Sequence, residues 1–241
     1  MDLLNSLRSW YWGFRRSVRI GMPVRSSDVD SSLDDRIEIG IEAADLGIVL
    51  FENLPDSTEI YFNEAGEPIE YSLESKLRDA LSLFDIAVKL NGDADCYYWR
   101  GVVRLELCDE LDNQEEIDNY VQVIDDLTKS IELSHGTKTH SYYLRGFARI
   151  NLADEAPIGY DVQALLREAI DDLTLYLTKE KKDYEAHNWL GQAYKRLIEF
   201  LPPSQERDEM KNRALFHKQK AYDGTKENYL LEQIEEIKEL D

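Results

Sequence analysis

The hydrophobic positions of the chain recur mostly at helical spacing. Between residues 72 and 222, apolar side chains return every three or four positions, in stretches that contain no internal proline. This is the period of an amphipathic α-helix, in which residues i, i+3, i+4 and i+7 share one face. Strand-like patterning is confined to residues 59–62 and 68–71, which flank the turn-forming residues 63–66. The pattern therefore predicts an all-α protein with a small hairpin-like insertion near residues 58–71.

Two helical motifs alternate along this region. The first, called helix A, carries a glycine that follows one or more aromatic residues within one helical turn. These glycines, Gly101, Gly146 and Gly191, are spaced 45 residues apart. The second, called helix B, carries the similar sequences at 123–128 and 169–174. Each B motif precedes the next glycine by 21 to 23 residues. Such alternation indicates paired helices stacked as a solenoid, in which each repeat packs on its neighbours.

These motifs resemble the tetratricopeptide repeat (TPR) family. The resemblance rests on an aromatic-x-x-x-Gly-x-x-[Tyr or Arg] helix A and on a helix B with small and large apolar residues in turn, as in Ala80, Phe84 and Ala87. It covers residues 72–222 and implies a TPR-like α-solenoid. The repeats are about eleven residues longer than the family period of about 34. We therefore expect lengthened B helices or structured loops between helices A and B.

The patterning divides the chain into four parts. Residues 1–27 form a basic amphipathic segment, and residues 28–71 form a degenerate first repeat with the hairpin-like insertion. Residues 72–222 form the solenoid. Residues 223–241 are predicted to be a capping helix, since one face is apolar and the remainder is rich in glutamate, as a terminal element needs to close the last apolar surface.

The charge of the chain argues against nucleic acid as a partner. There are 49 acidic and 28 basic side chains, for a net charge of −21, and such a surface repels a phosphate backbone. Residues 1–27 hold five arginines and one aspartate, so the remaining chain carries −25. Two cysteines and the lack of a long apolar run predict a cytoplasmic protein in a reducing compartment.

The sequence contains no recognisable catalytic or metal-binding set. Its four histidines do not stand at metal-ligand spacings, and Cys96 and Cys108 lie twelve residues apart on one predicted helix, too far for a disulfide. Phosphate-binding glycine loops and nucleophile motifs are also missing from it. We expect a protein that is not an enzyme and has no metal, no cofactor and no small-molecule substrate.

Two arginines directly precede the repeat glycine. After Arg100 and after Arg145, the following helix B carries a pair of aspartates, whereas after Leu190 it carries Phe216 and His217. This covariation within one chain predicts structural ion pairs between helices A and B. The predicted pairs join Arg100 to Asp125 and Asp126, and Arg145 to Asp171 and Asp172.

The resemblance implies that a partner binds along the concave face, which helix A lines. The matching positions are Tyr98, Val102, Leu105, Tyr143, Phe147, Ile150, Asn188, Gln192 and Lys195. An exposed apolar stripe normally marks an interface, unless another part of the same chain covers it. We expect an adaptor or scaffold for protein–protein interaction, with an acidic rim that favours a basic or amphipathic segment of another protein. The alternative is a chaperone or assembly factor that shields an apolar segment of its partner.

The basic segment at the start of the chain is a second candidate contact surface. On a helix, its apolar face is flanked by arginines, and the candidate contact residues are Leu7, Trp10, Tyr11, Phe14, Arg15 and Arg16. Three alternatives remain open. Residues 1–20 make peripheral contact with an anionic membrane, dock in a partner, or fold back on the acidic solenoid.

Overall fold

The computed structural model describes residues 33–52, 59–62, 68–155 and 159–240. Within these ranges the chain forms nine helices and one two-stranded hairpin. In chain order the elements are α1 (Leu33–Glu52), β1 (Glu59–Phe62), β2 (Pro68–Tyr71), α2 (Leu73–Leu90), α3 (Ala94–Cys108), α4 (Asn113–Leu133), α5 (Thr139–Glu155), α6 (Val162–Lys179), α7 (Tyr184–Ile198), α8 (Gln205–Thr225) and α9 (Asn228–Glu239).

The helices pack as consecutive pairs. Helix α1 packs against α2, α3 against α4, α5 against α6 and α7 against α8, and each pair also packs against the next. The first helices of successive pairs touch one another, and α9 packs against α8 at the end of the series. The structure thus confirms the predicted all-α solenoid of helical repeats with a capping helix at its C-terminal end.

Short polar side chains fix where several helices begin. Asp93 accepts a hydrogen bond from the backbone N–H of Cys96 at 2.8 Å, and Asp183 accepts one from Ala186 at 2.9 Å. Ser72, Asp161 and Ser204 cap α2, α6 and α8 in the same way. Each cap satisfies a backbone N–H that has no partner within the first turn of its helix.

The predicted hairpin lies between α1 and α2. Strand β1 pairs antiparallel with β2, in a register that places Glu59 opposite Tyr71 and Phe62 opposite Pro68. The additional residues of the second repeat are partly helical, since 113–119 form the first two turns of α4. The boundaries of the four parts at residues 27, 71 and 222 remain a proposal.

The repeat glycines are the points where helix A comes closest to helix B. A Cβ atom built on Gly146 would lie 2.9 Å from a carbon of the opposing side chain and 3.2 Å from the carbonyl oxygen of Ala169. Gly47, Gly101 and Gly191 meet helix B at comparable distances. The side chains opposite the four glycines are, in order, Phe84, Leu127, Leu173 and Lys218. Glycine is therefore required for this close approach, although it costs about 1 kcal/mol of helix propensity relative to alanine.

The capping helix is part of the largest core cluster. Ile237 is 0% exposed and packs in the same cluster as the buried residues of α5, α6, α7 and α8. Leu230 and Ile234, on the same face of α9, are also buried. Helix α9 thus removes from water the apolar surface that the last pair would otherwise expose.

Candidate functional site

The candidate partner-binding face is formed by helices α3 and α5. Tyr98, Val102 and Leu105 follow one another along α3, and all three are half-buried. Phe147 of α5 is also half-buried and packs edge-on against Trp189 of α7, with ring centroids 4.7 Å apart. We call Tyr98, Val102, Leu105 and Phe147 the apolar strip. Its side chains retain apolar surface that another molecule can cover.

Two residues predicted for this face belong to the core instead. Ile150 is 0% exposed and Tyr143 is 9% exposed. The ring of Tyr143 stacks on His140 at 5.2 Å and meets Tyr176 of α6 at 5.2 Å. Both residues lie on the side of α5 that carries Gly146, three positions before it and four after it, and that side packs against α6. They are therefore unavailable to a partner.

The C-terminal third of the predicted face is occupied by the chain itself. Lys195 forms an ion pair with Glu236 of α9 at 2.5 Å. Asn188 and Gln192 accept hydrogen bonds from Lys218 of α8, at 2.6 and 3.5 Å. On α7, therefore, another part of the same chain covers the predicted stripe. Helices α8 and α9 contact its three polar side chains.

One edge of the strip already holds a lysine. The Nζ atom of Lys138 lies 4.7 Å from the centroid of the Tyr98 ring, and it also forms an ion pair with Asp95. A ring face and a carboxylate both attract an ammonium group, so this edge suits a cation.

One repeat later, carboxylates stand at the same edge. Asp183 occupies the position 45 residues after Lys138, and Glu185 follows two residues later. Asp183 caps α7 and accepts a hydrogen bond from the Tyr176 hydroxyl at 2.7 Å. Burial lowers the pKa of His140 between these repeats, although Asp183, Glu180 and Glu185 oppose the shift. The edge is therefore more negative beside α7 than beside α5.

A buried aspartate joins α4 to α3. Asp126 is 4% exposed and accepts hydrogen bonds from Arg100 at 2.5 Å and from Arg104 at 3.0 Å. Arg100 also donates to Asp85 of α2 at 3.0 Å. One guanidinium therefore contacts the B helix of its own pair and that of the preceding pair, so it fixes the position of three helices.

The next repeat has the same arrangement. Asp172 of α6 accepts hydrogen bonds from Arg145 at 2.7 and 2.9 Å and a short one from Arg149. In both repeats the second aspartate of the predicted pair makes these contacts, whereas the first, Asp125 or Asp171, is exposed. The second arginine of each cluster, Arg104 or Arg149, could have been found from the sequence, because it recurs three residues after the repeat glycine.

In the fourth repeat, formed by α7 and α8, aromatic rings stand where the preceding repeats have these ion pairs. The Nδ1 atoms of His187 on α7 and His217 on α8 lie 2.8 Å apart, and their rings stack at 5.1 Å. Tyr194 stacks on the other side of the pair, 5.9 Å from the ring of His217. Leu190, which replaces the arginine, is buried in the core.

Sequence reasoning also missed a buried lysine, Lys218. The side chain is 1% exposed, and burial lowers its pKa to about 7. Its Nζ atom is held by the amide oxygens of Asn188 and Gln233, each at 2.6 Å, and of Gln192 at 3.5 Å. The repeat alignment carries the signal, because Lys218 stands opposite Gly191 where Leu127 and Leu173 face the preceding glycines.

Both cysteines of the chain lie in the described region. Cys96 and Cys108 are buried free thiols, and burial raises the pKa of each to about 12, so neither forms a reactive thiolate at neutral pH. Across the four described ranges, no three His, Cys, Asp or Glu side chains come together to hold a metal ion. The same ranges contain no helix long and apolar enough to cross a membrane.

The N-terminal candidate residues fall outside the part of the chain that the structure describes. They are Leu7, Trp10, Tyr11, Phe14, Arg15 and Arg16. Their contact with a membrane, a partner or the solenoid stays a prediction.

No family model and no curated protein matches the chain. Among solved structures, it is similar to one described as the MamA RS-1 ArsTM double mutant, with 13% identity, 83% of each chain covered and a TM-score of 0.54. A crystal structure of MamA protein covers 92% of this chain and 93% of its own, with 15% identity and a TM-score of 0.49. YrrB, described as a TPR protein with an unusual peptide-binding site, covers 86% of this chain and 98% of its own, at 16% identity and a TM-score of 0.36. The chain has a TPR-like fold, and at this identity the likeness concerns the fold alone.

Proposed function

We propose that the chain is a non-enzymatic adaptor that binds a segment of another protein along the apolar strip. The observation that carries the proposal is the strip itself, four half-buried apolar side chains on adjacent A helices of a TPR-like solenoid. Apolar side chains presented in a row by neighbouring helices suit the apolar face of a bound peptide. Repeats of this kind support binding by their extended surface and need no catalytic group.

The charge beside the strip supports a basic or amphipathic partner segment. Asp183 and Glu185 stand at one edge, and the whole chain carries a net charge of −21. A helical segment that laid its apolar side on the strip would place lysine or arginine side chains against this edge. Lys138 over the ring of Tyr98 is an example, within the chain, of the contact that such a side chain would make.

A substitution on the strip tests the proposal. The full-length chain is used as bait, and the proteins it captures are compared with those captured by the variant Val102→Asp/Phe147→Ala. This variant places a charge on the strip and removes the aromatic ring that α5 contributes to it. We expect the partner to be lost, because truncating central aromatic anchors typically costs at least ~2 kcal/mol, or about thirtyfold in affinity. The matched control is Leu175→Ala on α6, a residue that is 47% exposed and outside the strip.

The captured proteins also separate the two functional alternatives. If the folded double variant and the control capture the same proteins as the original chain, the strip is not the binding surface. Two partners bound at once would favour the adaptor, whereas one partner with a single long apolar stretch would favour the chaperone or assembly factor.

Residues 1–20 remain a second proposed contact, with a membrane, with a partner or with the solenoid.

A further inference from the structure

The fourth repeat is held together by groups that gain protons in weak acid. In the second and third repeats, a buried aspartate and two arginines connect helices A and B. In the fourth, the corresponding connection is a hydrogen bond between the imidazoles of His187 and His217. An imidazole ordinarily gains its second proton near pH ~6.5, whereas an aspartate carboxylate is protonated only near pH ~4. The two kinds of interface therefore respond to different pH ranges.

The hydrogen bonds of the pair define where its protons lie. The Nε2 atom of His187 lies 3.3 Å from the carbonyl oxygen of Lys181, which can only accept, so this nitrogen carries a hydrogen. In the neutral ring the Nδ1 atom of His187 is then an acceptor, and it receives the Nδ1–H of His217 at 2.8 Å. A single added proton on Nε2 of His217 leaves this hydrogen bond in place, whereas protonation of both rings places two N–H groups against each other and removes it.

We propose that the His187–His217 pair is an acid-sensitive latch, whose protonation loosens α8 from α7 and frees the capping helix α9 while the second and third repeats remain packed. The link to α9 passes through Lys218, the residue after His217, which donates a hydrogen bond to Gln233 of α9 at 2.6 Å. A shift of α8 against α7 moves Lys218 and so weakens one of the polar contacts of α9, while it also disturbs the packing of α9 on α8.

Burial and most of the charges that face the pair oppose its protonation. Burial lowers the pKa of His217 to about 4, and His187 and Arg213 act in the same direction. Burial also lowers the pKa of His187, where Lys220 adds to the shift and Asp183 opposes it. The ring of Tyr194 is a further neighbour and stacks on His217.

The sign of the effect follows from these shifts. Both histidines bind a proton more weakly in the folded chain than in the unfolded chain. Stability is therefore complete above the unfolded pKa of about 6.5 and is lost as the pH falls from there towards the lowered folded values. The loss that comes from this pair falls on α8, which the pair joins to α7, and on α9, which packs against α8.

Release of α9 would change the binding face. In the closed form α8 and α9 engage three polar side chains of α7, which are Asn188, Gln192 and Lys195. Opening would uncover these side chains and lengthen the surface beside the apolar strip. The latch goes beyond the proposed adaptor role and would operate whether or not a partner binds the strip.

Hydrogen exchange followed by mass spectrometry tests the latch on the full-length chain. Exchange is measured at pH 7.5 and pH 5.5 and converted to protection factors, which removes the intrinsic effect of pH on exchange. We expect the protection of α8 and α9 to fall about tenfold for each histidine that resists protonation, and up to about a hundredfold for both. Protection in α3 and α4, which contain no histidine, should change less than about twofold. A uniform loss along the chain, or no loss in α8 and α9, would overturn the proposal.

Variants that change only the pair complete the test. Leu190→Arg/His217→Asp copies the arrangement of Arg145 and Asp172, removes one of the two titrating rings and should weaken the pH dependence of α8 and α9. His217→Gln removes one titrating ring and should reduce the loss to about tenfold, which keeps the proposal testable if the double variant does not fold. His140→Gln is the matched control, because it removes a histidine whose pKa burial lowers in a different repeat and should leave the response unchanged. Persistence of the full response in His217→Gln would contradict the latch.

Discussion

Asp171 and Asp172 are adjacent and chemically identical, yet only one of them contacts arginine. Asp172 is 4% exposed between Arg145 and Arg149, whereas Asp171 is exposed to solvent. Adjacent residues of a helix point about 100° apart, so a single member of the pair can face helix A. The sequence predicted an ion pair here but contained nothing that selected the second aspartate.

The same substitution at both aspartates should therefore have very different effects. Asp172→Asn leaves two buried guanidinium groups without their shared carboxylate and should lower the free energy of unfolding by ~3 kcal/mol. Asp171→Asn should change it by no more than ~0.5 kcal/mol. Urea denaturation at pH 7 measures both, and equal midpoints for the two variants would show that the buried carboxylate contributes nothing to stability.

Because of the pKa of Lys218, the free energy of unfolding of the chain should depend on pH above neutrality. Burial lowers this pKa to about 7 from an ordinary value of 10.5. Between these values the unfolded chain binds a proton that the folded chain lacks. The free energy of unfolding should therefore rise between pH 7 and pH 10 by at most ~1.4 kcal/mol per pH unit. Below pH 7 both states hold the proton, and Lys218 adds nothing to the slope.

Lys218→Met removes this dependence while filling the space above Gly191. The difference in unfolding free energy between the original chain and the variant should rise with pH from 7 to 10, as measured by denaturation at a series of pH values. Lys220→Met is the control, since Lys220 lies exposed on the same helix. Parallel curves for the original chain and Lys218→Met would mean that the lysine keeps its ordinary pKa.

At the scale of the element, the glycines of helix A decide how closely the paired helices approach. A Cβ on Gly146 would meet Leu173, which is 0% exposed, and the backbone of Ala169. Neither neighbour is free to move away, because both belong to the core. At Gly101 the nearest atoms are in the side chains of Leu127 and Asp126, at 3.1 Å and beyond.

Gly146→Ala should consequently destabilise the chain despite the better helix propensity of alanine. We expect the crowding to cost about 1–3 kcal/mol, which outweighs the gain of about 1 kcal/mol in propensity. Gly101→Ala should cost less, because no backbone atom obstructs the new methyl group. Thermal unfolding of the two variants provides the comparison, and an unfolding temperature for Gly146→Ala at or above that of the original chain would refute the close approach.

Local signals located most elements well. The predicted strands coincide with β1 and β2, and the predicted solenoid, which starts at residue 72, opens with α2 at Leu73 and with Ser72 as its cap. Such features depend on residues close together in the chain, since capping, turn formation and periodicity act within one or two turns. For residues 113–119 the sequence allows either a helix or a structured loop, because six of these seven side chains are polar and suit both.

At the scale of the whole molecule, the repeats have different chemistry on one fold. The second and third repeats join their helices through arginine and aspartate and carry the apolar strip. The fourth uses histidine, tyrosine and a buried lysine, and it receives the capping helix. A solenoid tolerates this difference because each repeat contacts only its neighbours, so one interface can change without disturbing the rest.

By itself, the sequence determined the helical period, the glycines 45 residues apart and the pairing of arginine with an acid, because each is set by residues within one repeat. Tertiary structure alone decided which side chains of helix A remain available. Ile150 and Tyr143 share the pattern of Phe147 but are buried against α6, and Lys195 is taken by Glu236 of α9. The exposure of a side chain depends on which element packs against its helix, and the periodicity of a helix does not specify that element.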